Sequence, residues 1–313
     1  MPTSRKKVSL IAPFFNEEEG AMVFYNRLVQ VLDASTFVDF EVICVDDGST
    51  DSTLSILLEI AANDKRFKIL ELSRNFGKEA ALTAGLDAAS GDAAIPIDSD
   101  FQDPPELVPA FIDAWLKGSE VVLGRRIDRS SDTFLKRKTA ELFYRIHNRF
   151  SSVKIPENVG DFRLMDRVVL DALKQLPEQQ RFMKGLFAWV GFKTTTVDYA
   201  REIRAKGTSK FSGWKLWNFA LEGITSFSTA PLKFWSYLGG LGALISLCYA
   251  IFITLRTLIF GVDLPGYSSI LVAIIFFGSV QLISVGMLGE YIGRIYMEAK
   301  RRPLYIVRKR YEE

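Results

Sequence analysis

The sequence is poor in the residues that build disulfide frameworks and histidine-rich metal centres. Its 313 residues include two cysteines and a single histidine, His147. Cys44 lies in an apolar run typical of a buried strand, and Cys248 lies in a longer apolar segment, so we expect no disulfide framework. The formal net charge of +2 argues against a dedicated nucleic-acid-binding protein. A disulfide scaffold, a multi-histidine metal site and a nucleic-acid partner are therefore not expected.

The sequence also lacks the common phosphate-binding loops. It contains no Walker loop and no dinucleotide-binding glycine fingerprint. The glycines within residues 239–242 lie inside an apolar segment, where close helix packing is the better interpretation. The apolar run 8–15 is too short for a signal peptide. We therefore expect the N-terminal region to stay in the cytosol.

The first 210 residues alternate between short apolar strands and amphipathic helices. The pattern predicts strands at 8–14, 41–45, 68–72, 93–97 and 121–123, and helices at 17–32, 53–62, 78–88, 105–117 and 134–150. Such alternation is typical of an α/β domain with a mostly parallel sheet covered on both faces. In these folds ligands bind at the carboxyl ends of the strands. We predict a Rossmann-like α/β domain over residues 1–210.

Carboxylates follow three of the predicted strands. They lie in residues 13–18, 45–51 and 98–105. Helix N-capping would explain a single capping aspartate. Three acidic strand ends at one edge of a sheet would repel each other unless a cation or ligand donors lay among them. The pair Asp98 and Asp100 suits Mg²⁺ or Mn²⁺, which prefer carboxylate and phosphate oxygens.

Two long apolar runs occupy the last third of the chain. Residues 234–260 and 269–291 each exceed the about 20 residues that a helix needs to cross a bilayer. Their short link, 261–268, predicts a transmembrane hairpin within 231–296. Residues 211–230, with Trp214 and Trp217, predict an amphipathic helix at the membrane interface. The alternatives are a hairpin buried in a soluble core and an ordinary core helix.

Charge predicts the orientation of this hairpin. Residues 300–310 carry six lysines and arginines, whereas the link between the apolar runs carries none. The positive-inside rule then places both termini, the N-terminal domain and a basic tail at 297–313 in the cytosol. The basic run 136–149 either attracts anionic lipid head groups or forms a solvated helix face. Gly286, Gly289 and Gly293 indicate a close helix contact, which a homo-oligomer would supply.

The motifs at 13–18, 45–51 and 98–104 resemble those of the family-2 nucleotide-sugar glycosyltransferases, which have the GT-A fold. Further matches at 74–78, 160–165 and 207–211, with the C-terminal hairpin, are similar to the polyprenyl-phosphate branch. Within this branch the chain is most similar to bactoprenol glucosyltransferases, on residues 135–141, 214–228 and 288–296, and it is related to dolichol-phosphate mannose synthases. The Gln-x-x-Arg-Trp motif of processive polysaccharide synthases is absent.

The resemblance implies roles on the donor side of a sugar transfer. The residues that it places around the nucleotide base and ribose are Pro13, Glu17, Asp46 and Asp47. The residues that it places on the metal and the donor diphosphate are Asp98, Asp100 and Gln102. The implied cofactor is Mg²⁺ or Mn²⁺.

The resemblance also implies an acceptor side. Asp161 and Asp100 are the residues expected to be catalytic. Asp161 matches the position of a catalytic base, and orientation of the acceptor or of a donor hydroxyl is the alternative for it. The residues expected at the acceptor phosphate are Arg125, Arg126, Arg137, Arg201 and Lys210.

The implied reaction is an inverting transfer of glucose from UDP-glucose to undecaprenyl phosphate at the cytosolic face of a bacterial inner membrane. No local sequence pattern identifies residues that would bind the hydroxyls of the sugar. GDP-mannose, a UDP-amino-arabinose derivative and a UDP-N-acetylhexosamine therefore stay open as donors. A catalytically degenerate membrane scaffold is the alternative outside enzymes.

Overall fold

The N-terminal part of the chain folds as repeated strand–helix units. The computed structural model describes residues 5–100, 103–128, 159–176, 178, 181, 183–200 and 266–312, with scattered helical positions between 237 and 260. The strands are β1 (Lys7–Phe14), β2 (Asp39–Asp46), β3 (Phe67–Leu72), β4 (Ala93–Pro96), β5 (Val121–Asp128), β6 (Val159–Asp166), β7 (Thr194–Ala200) and β8 (Val307–Tyr311). The helices are α1 (Glu18–Ala34), α2 (Thr53–Asn63), α3 (Lys78–Ala88), α4 (Val108–Leu116), α5 (Arg167–Lys174), α6 (Met183–Trp189) and α7 (Tyr267–Ala299).

The described strands form one eight-stranded sheet in the order β7-β5-β6-β4-β1-β2-β3-β8. β1 pairs in parallel with β2 and β4, β2 with β3, and β5 with β7. β6 is antiparallel to β4 and β5, and β8 is antiparallel to β3. All described strands except β6 and β8 therefore point the same way. Their carboxyl ends share one edge of the sheet, which we call the carboxyl edge.

Both faces of this sheet are covered by helices. In β1, Leu10 and Phe14 join one apolar cluster and Ile11 joins the other, because successive side chains of a strand point to opposite faces. Helices α1, α2 and α4 pack on the first cluster, and α3, α5 and α6 pack on the second. At Gly85 an added Cβ would lie 2.2 Å from Cγ2 of Ile11. This close approach fixes α3 against the sheet.

The predicted class, a Rossmann-like α/β domain with a mostly parallel sheet, is confirmed. The predicted strands and the first four predicted helices correspond to β1–β5 and α1–α4, with ends that differ by a few residues. The alternating pattern did not predict β6, β7 or β8. The predicted helix at 134–150 lies outside the described residues.

The C-terminal part of the chain contains the 33-residue helix α7. Several of its large apolar side chains are exposed, among them Ile270, Ile274 and Leu282. Judged over the described residues alone, no helix is both long and apolar enough to cross a membrane. The predicted hairpin at 231–296 stays a prediction, and the predicted interfacial helix at 211–230 lies outside the described residues.

The last strand, β8, extends the sheet beyond β3. The hydroxyl of Tyr311 donates to Oε2 of Glu71 (3.0 Å). Just before the strand, the hydroxyl of Tyr305 donates to Oδ2 of Asp87 in α3 (2.8 Å). The region predicted as a basic tail, 297–313, therefore contributes a strand and side-chain contacts to the N-terminal domain.

Candidate active site

Two loops at the carboxyl edge are fastened to each other through Asp47. The first loop follows β2, and the second, residues 73–77, joins β3 to α3. The buried Asp47 accepts hydrogen bonds from the amides of Phe76 at Oδ1 (2.7 Å) and Gly77 at Oδ2 (2.9 Å). Burial raises the pKa of Asp47, and the two amide donors partly offset this rise. Asp47, predicted beside the nucleotide, thus holds the second loop with both of its oxygens.

Gly48 brings the backbones of these loops into direct contact. Its φ of +68° lies in the left-handed region, and an added Cβ would lie 2.4 Å from the carbonyl carbon of Arg74. A side chain at this position would therefore be strained by the backbone conformation and would overlap the neighbouring loop. The loop carrying Arg74 can adopt its position only because residue 48 is glycine.

The loop after β1 is joined to the same edge. The amide of Asn16 donates to Oγ of Ser49 (3.0 Å), and the amide of Thr50 donates to Oδ1 of Asn16 (2.8 Å). Pro13 lies in β1, and Glu17 immediately precedes α1. The four residues predicted around the nucleotide therefore lie at the carboxyl ends of β1 and β2 or just after them, at the carboxyl edge.

One carboxylate oxygen of Asp46 receives no hydrogen bond from the described residues. It ends β2 with 1% of its surface exposed. Its Oδ2 accepts the amide of Ser49 (3.2 Å), whereas no group in the described part of the chain donates to its Oδ1. Burial raises the pKa of Asp46; the bonds from Ser49 lower it, and the charges of Glu71 and Asp51 raise it further. A buried acceptor without a donor costs about 1–3 kcal/mol, so a ligand donor at Oδ1 would be favourable.

Lys78 lies between two of the predicted site carboxylates. It is the first residue of α3, and its Nζ lies 2.7 Å from Oδ1 and 2.9 Å from Oδ2 of Asp98. The same Nζ lies 3.6 Å from Oδ2 of Asp161. Burial alone would lower the pKa of Lys78, but the carboxylates of Asp98 and Asp161 raise it. Lys78 is therefore a cation shared by both aspartates.

Asp161 reaches this position because β6 runs against its neighbours. The carboxyl edge is where β4 ends and where the antiparallel β6 begins. Asp161, the third residue of β6, therefore lies at the same edge as Asp98, which follows β4. The antiparallel insertion brings together two residues that are far apart in the sequence.

The described residues offer few ligands for a metal ion. Asp98 and Asp100 both follow β4 and are half-buried. Burial raises the pKa of Asp98, the ammonium of Lys78 lowers it, and the charge of Asp161 raises it. Within the described residues, no group of three or more histidine, cysteine, aspartate or glutamate side chains could hold a metal. The third predicted ligand, Gln102, lies outside these residues.

The two predicted acceptor-binding arginines of β5 have different surroundings. Arg125 is exposed and forms a two-point ion pair with Asp198, at 2.6 and 2.8 Å. Arg126 is half-buried; its Nη2 donates to Oδ1 of Asp103 (3.2 Å) and its Nε donates to the hydroxyl of Tyr199 (3.0 Å). That hydroxyl also donates to Asp103. Arg126 thus joins the segment after β4 to β5 and β7, whereas Arg125 lies at the surface.

Three residues near the edge were given no role by sequence analysis: Lys78, Asp103 and Tyr199. Lys78 and Asp103 belong to recognised motifs, and Tyr199 carries no sequence signal. The position of Lys78 in the first turn of a predicted helix was a further sequence signal. A cation there is disfavoured by the helix dipole, which suggests that a carboxylate partner compensates. The predicted site residues Arg137, Arg201 and Lys210 lie outside the described residues.

The doubly covered sheet and its acidic carboxyl edge agree with the GT-A fold that the sequence predicts. The sequence profile described as Glycosyl transferase family 2 matches residues 9–174. The chain belongs to this family and is a glycosyltransferase, so the predicted family is confirmed.

Several relatives are similar over nearly their whole length. The chain is 54% identical to the bactoprenol glucosyl transferase of Shigella phage SfII, covering 97% of this chain and 98% of that protein. It is 51% identical to a prophage bactoprenol glucosyl transferase homolog of Escherichia coli K12, covering 97% and 99%. Among solved structures, a Pyrobaculum calidifontis mannosyltransferase in complex with GDP-Man and Mn²⁺ is 16% identical, with a TM-score of 0.49 and coverages of 96% and 88%.

Proposed function

We propose that this glycosyltransferase transfers glucose from UDP-glucose to undecaprenyl phosphate, with inversion, at the cytosolic face of a bacterial inner membrane. The observation that carries the proposal is the similarity to bactoprenol glucosyl transferases across nearly the full length of both chains. The acidic carboxyl edge supports it, since a degenerate scaffold would not need to keep Asp98, Asp100 and Asp161.

On the donor side, the loops after β1 and β2 receive the nucleoside. The Oδ1 of Asp46 receives no hydrogen bond from the part of the chain that the structure describes, and it would accept one from the base or ribose. Asp98, Asp100 and Gln102 would hold a divalent cation, which would supply Lewis-acid stabilisation for the leaving diphosphate. The described carboxylate pair fits Mg²⁺ or Mn²⁺ because such a cation is commonly bound by one or two carboxylates plus phosphate oxygens.

On the acceptor side, the nucleophile is a phosphate oxygen. A phosphate monoester has a second pKa of about 6, so it is mostly dianionic near pH 7. The attack needs little help from a base, and Asp161 either orients the acceptor or the donor or removes the proton of the minor monoanion. Direct in-line displacement at the anomeric carbon inverts its configuration.

The acceptor phosphate needs cationic donors near the membrane surface. Arg125 suits this role because its partner Asp198 is exposed, and an exposed pair is weak enough to be exchanged for a phosphate. Arg126 acts indirectly by holding Asp103 and Tyr199 in place. Arg137, Arg201 and Lys210 are proposed as the remaining phosphate contacts on the basis of family resemblance.

A membrane hairpin at 231–296 would keep the carboxyl edge near the lipid phosphate. Two spans return the chain to the side on which it started, and the pairing of β3 with β8 requires residues 307–311 on the same side as the N-terminal domain. The exposed apolar side chains of α7 also favour a lipid environment. The even number of spans and the position of β8 therefore support the same topology.

A radiolabel transfer assay tests this function. The full chain, purified in detergent with Mg²⁺ or Mn²⁺, receives undecaprenyl phosphate and one labelled donor at a time: UDP-glucose, GDP-mannose, a UDP-amino-arabinose derivative or UDP-N-acetylglucosamine. We expect label in the organic phase from UDP-glucose, and a loss of at least about 100-fold in Asp100→Ala, because the variant lacks a proposed metal ligand.

The matched control is Asp113→Ala, which removes a surface aspartate paired with Lys117 on α4 and should keep full activity. Transfer from another donor would correct the sugar and keep the reaction. Absence of transfer from every donor, by a folded protein, would favour the scaffold.

A further inference from the structure

Lys78 occupies a position that local structure disfavours for a cation. It is the first residue of α3, where the helix dipole repels positive charge. The flexible stem of a lysine would let the ammonium turn into solvent. Its Nζ instead lies within ion-pair distance of Asp98 and Asp161, although 49% of the side chain is exposed. Attraction to the two carboxylates outweighs the local preference.

The arrangement neutralises carboxylates that would otherwise repel each other. Asp98 and Asp161 both approach the same ammonium, and two carboxylates at one site need a nearby positive charge to stay ionised together. In the proposed reaction Asp98 would bind a divalent cation. The charge of that cation would repel the ammonium of Lys78 and weaken its pair with Asp98, which would favour an additional anionic partner for Lys78.

The diphosphate of the sugar donor would be this partner for Lys78. A nucleoside diphosphate sugar carries two negatively charged phosphates to the carboxyl edge, and a lysine is a compact point charge on a flexible stem that can follow them. The 73–77 loop preceding Lys78 is held by Asp47 through Phe76 and Gly77. The backbone of the residue therefore stays fixed while its side chain exchanges partners.

We propose that Lys78 is a donor-binding residue with two alternating partners: Asp98 when the site is empty of donor, and the donor diphosphate when the donor is bound. This inference rests on the proposed function, in which the donor is a nucleoside diphosphate sugar. It assigns Lys78 a part in diphosphate recognition and a part in keeping Asp98 and Asp161 together before the donor arrives.

Binding measurements on Lys78→Met test the inference, because methionine keeps the length of the side chain and removes its charge. By calorimetry on the full chain in detergent with Mg²⁺, we expect UDP to bind at least about 10-fold more weakly, since a charge-assisted hydrogen bond to the diphosphate is lost. Uridine, which has no phosphate, should bind with unchanged affinity. Mn²⁺ alone should bind more tightly, because the ammonium no longer competes for Asp98.

Two further variants separate this role from a purely structural one. Lys78→Arg keeps the charge and should bind UDP within about 3-fold of the wild type, since both cations pair with phosphate. Lys68→Met removes an ammonium that pairs with Glu41, and it should change no affinity. Equal UDP binding by wild type and Lys78→Met would overturn the inference. Equal losses for UDP and uridine, or weaker Mn²⁺ binding, would overturn it in favour of a structural role.

Failure of the proposed function gives a different result. A folded wild-type protein that binds no UDP, but binds GDP or another nucleotide, would mean that the donor is misassigned. The same comparison of diphosphate with nucleoside would then be made with that nucleotide, and an unchanged diphosphate affinity in Lys78→Met would still overturn the inference.

Discussion

At the scale of single residues, Asp46 and Asp47 show how neighbours in the sequence take different tasks. Both are buried at the end of β2. Both carboxylate oxygens of Asp47 accept hydrogen bonds from backbone amides of the next loop. Asp46 keeps one oxygen without a donor among the described residues. The first aspartate is therefore suited to a ligand, and the second builds the loop around it.

This difference predicts that Asp46→Asn stabilises the ligand-free protein while weakening nucleotide binding. Because burial raises the folded-state pKa of Asp46, the wild type must ionise an unfavourably placed group as the pH rises. The difference in unfolding free energy between the variant and the wild type should not change with pH below about pH 4, the ordinary pKa of an aspartate. It should then increase in favour of the variant up to the raised pKa of Asp46 and stay constant at higher pH. At pH 7 we therefore expect a higher Tm for the variant than for the wild type.

Thermal unfolding between pH 4 and pH 8 checks this prediction. Asp113→Asn, on the exposed face of α4, is the control and should show no comparable pH-dependent gain. A variant at position 46 that is less stable than the wild type at pH 7 would mean that the Asp46 carboxylate contributes to folding.

Gly48 and Gly191 form a natural pair for testing contact between loops. Their φ angles are +68° and +66°, yet an added Cβ would lie 2.4 Å from Arg74 at Gly48 and no closer than 3.7 Å to any atom at Gly191. Gly191→Ala should cost only the backbone strain, about 1 kcal/mol. Gly48→Ala should cost at least about 2 kcal/mol more, because the overlap involves backbone that cannot move aside.

Only Gly48→Ala should also weaken UDP binding, since it displaces the loop that leads to Lys78. Thermal unfolding and calorimetry on both variants provide the comparison. Similar losses of stability and of UDP affinity in the two variants would contradict the proposed coupling between these loops.

At the scale of secondary-structure elements, the sequence predicts those strands whose side chains are buried on both faces of the sheet. β1–β4 have strongly apolar segments because helices cover both faces of the sheet. β8 has the sequence Val-Arg-Lys-Arg-Tyr, and its place in the sheet depends on backbone pairing and on contacts to Glu71. β6 contains the buried Arg163, which interrupts its apolar pattern. β6 and β8 form because they pair with strands that are distant in the sequence, and the local periodicity of hydrophobic residues does not predict such pairing.

The same distinction applies to the candidate site. Acidic residues after parallel strands predict the carboxyl edge, because strand direction alone brings such ends together. The position of Asp161 depends on the antiparallel direction of β6, which no local pattern encodes. The partners of Lys78 and Arg126 depend on three-dimensional packing. Sequence therefore identifies the motif residues, and the fold identifies which of them touch.

At the scale of the whole molecule, β8 makes the C-terminal residues part of the N-terminal domain. Removing residues 304–313 would delete this strand and the contacts from Tyr305 and Tyr311, and it would leave β3 as an uncovered edge. Exposed strand edges promote association between chains. We expect a lower Tm and increased light scattering for this truncated variant.

Arg310→Gln provides the control. It removes an ion pair to Glu312 in which the two side chains are 56% and 48% exposed, and such pairs contribute little. Its Tm should stay close to that of the wild type. An unchanged Tm and no added scattering in the truncated variant would mean that β8 is dispensable for the stability of the sheet.

The position of β8 has a consequence for biosynthesis. A chain emerges from the ribosome beginning at its N-terminus, so β1–β7 are available long before β8. The sheet cannot be completed until α7 has been synthesised, and a chain interrupted within the apolar runs would leave the ribosome with β3 uncovered. Completion of the domain is therefore a late event, because β8 can pair with β3 only after residues 1–311, including the segments proposed to enter the bilayer, have been made.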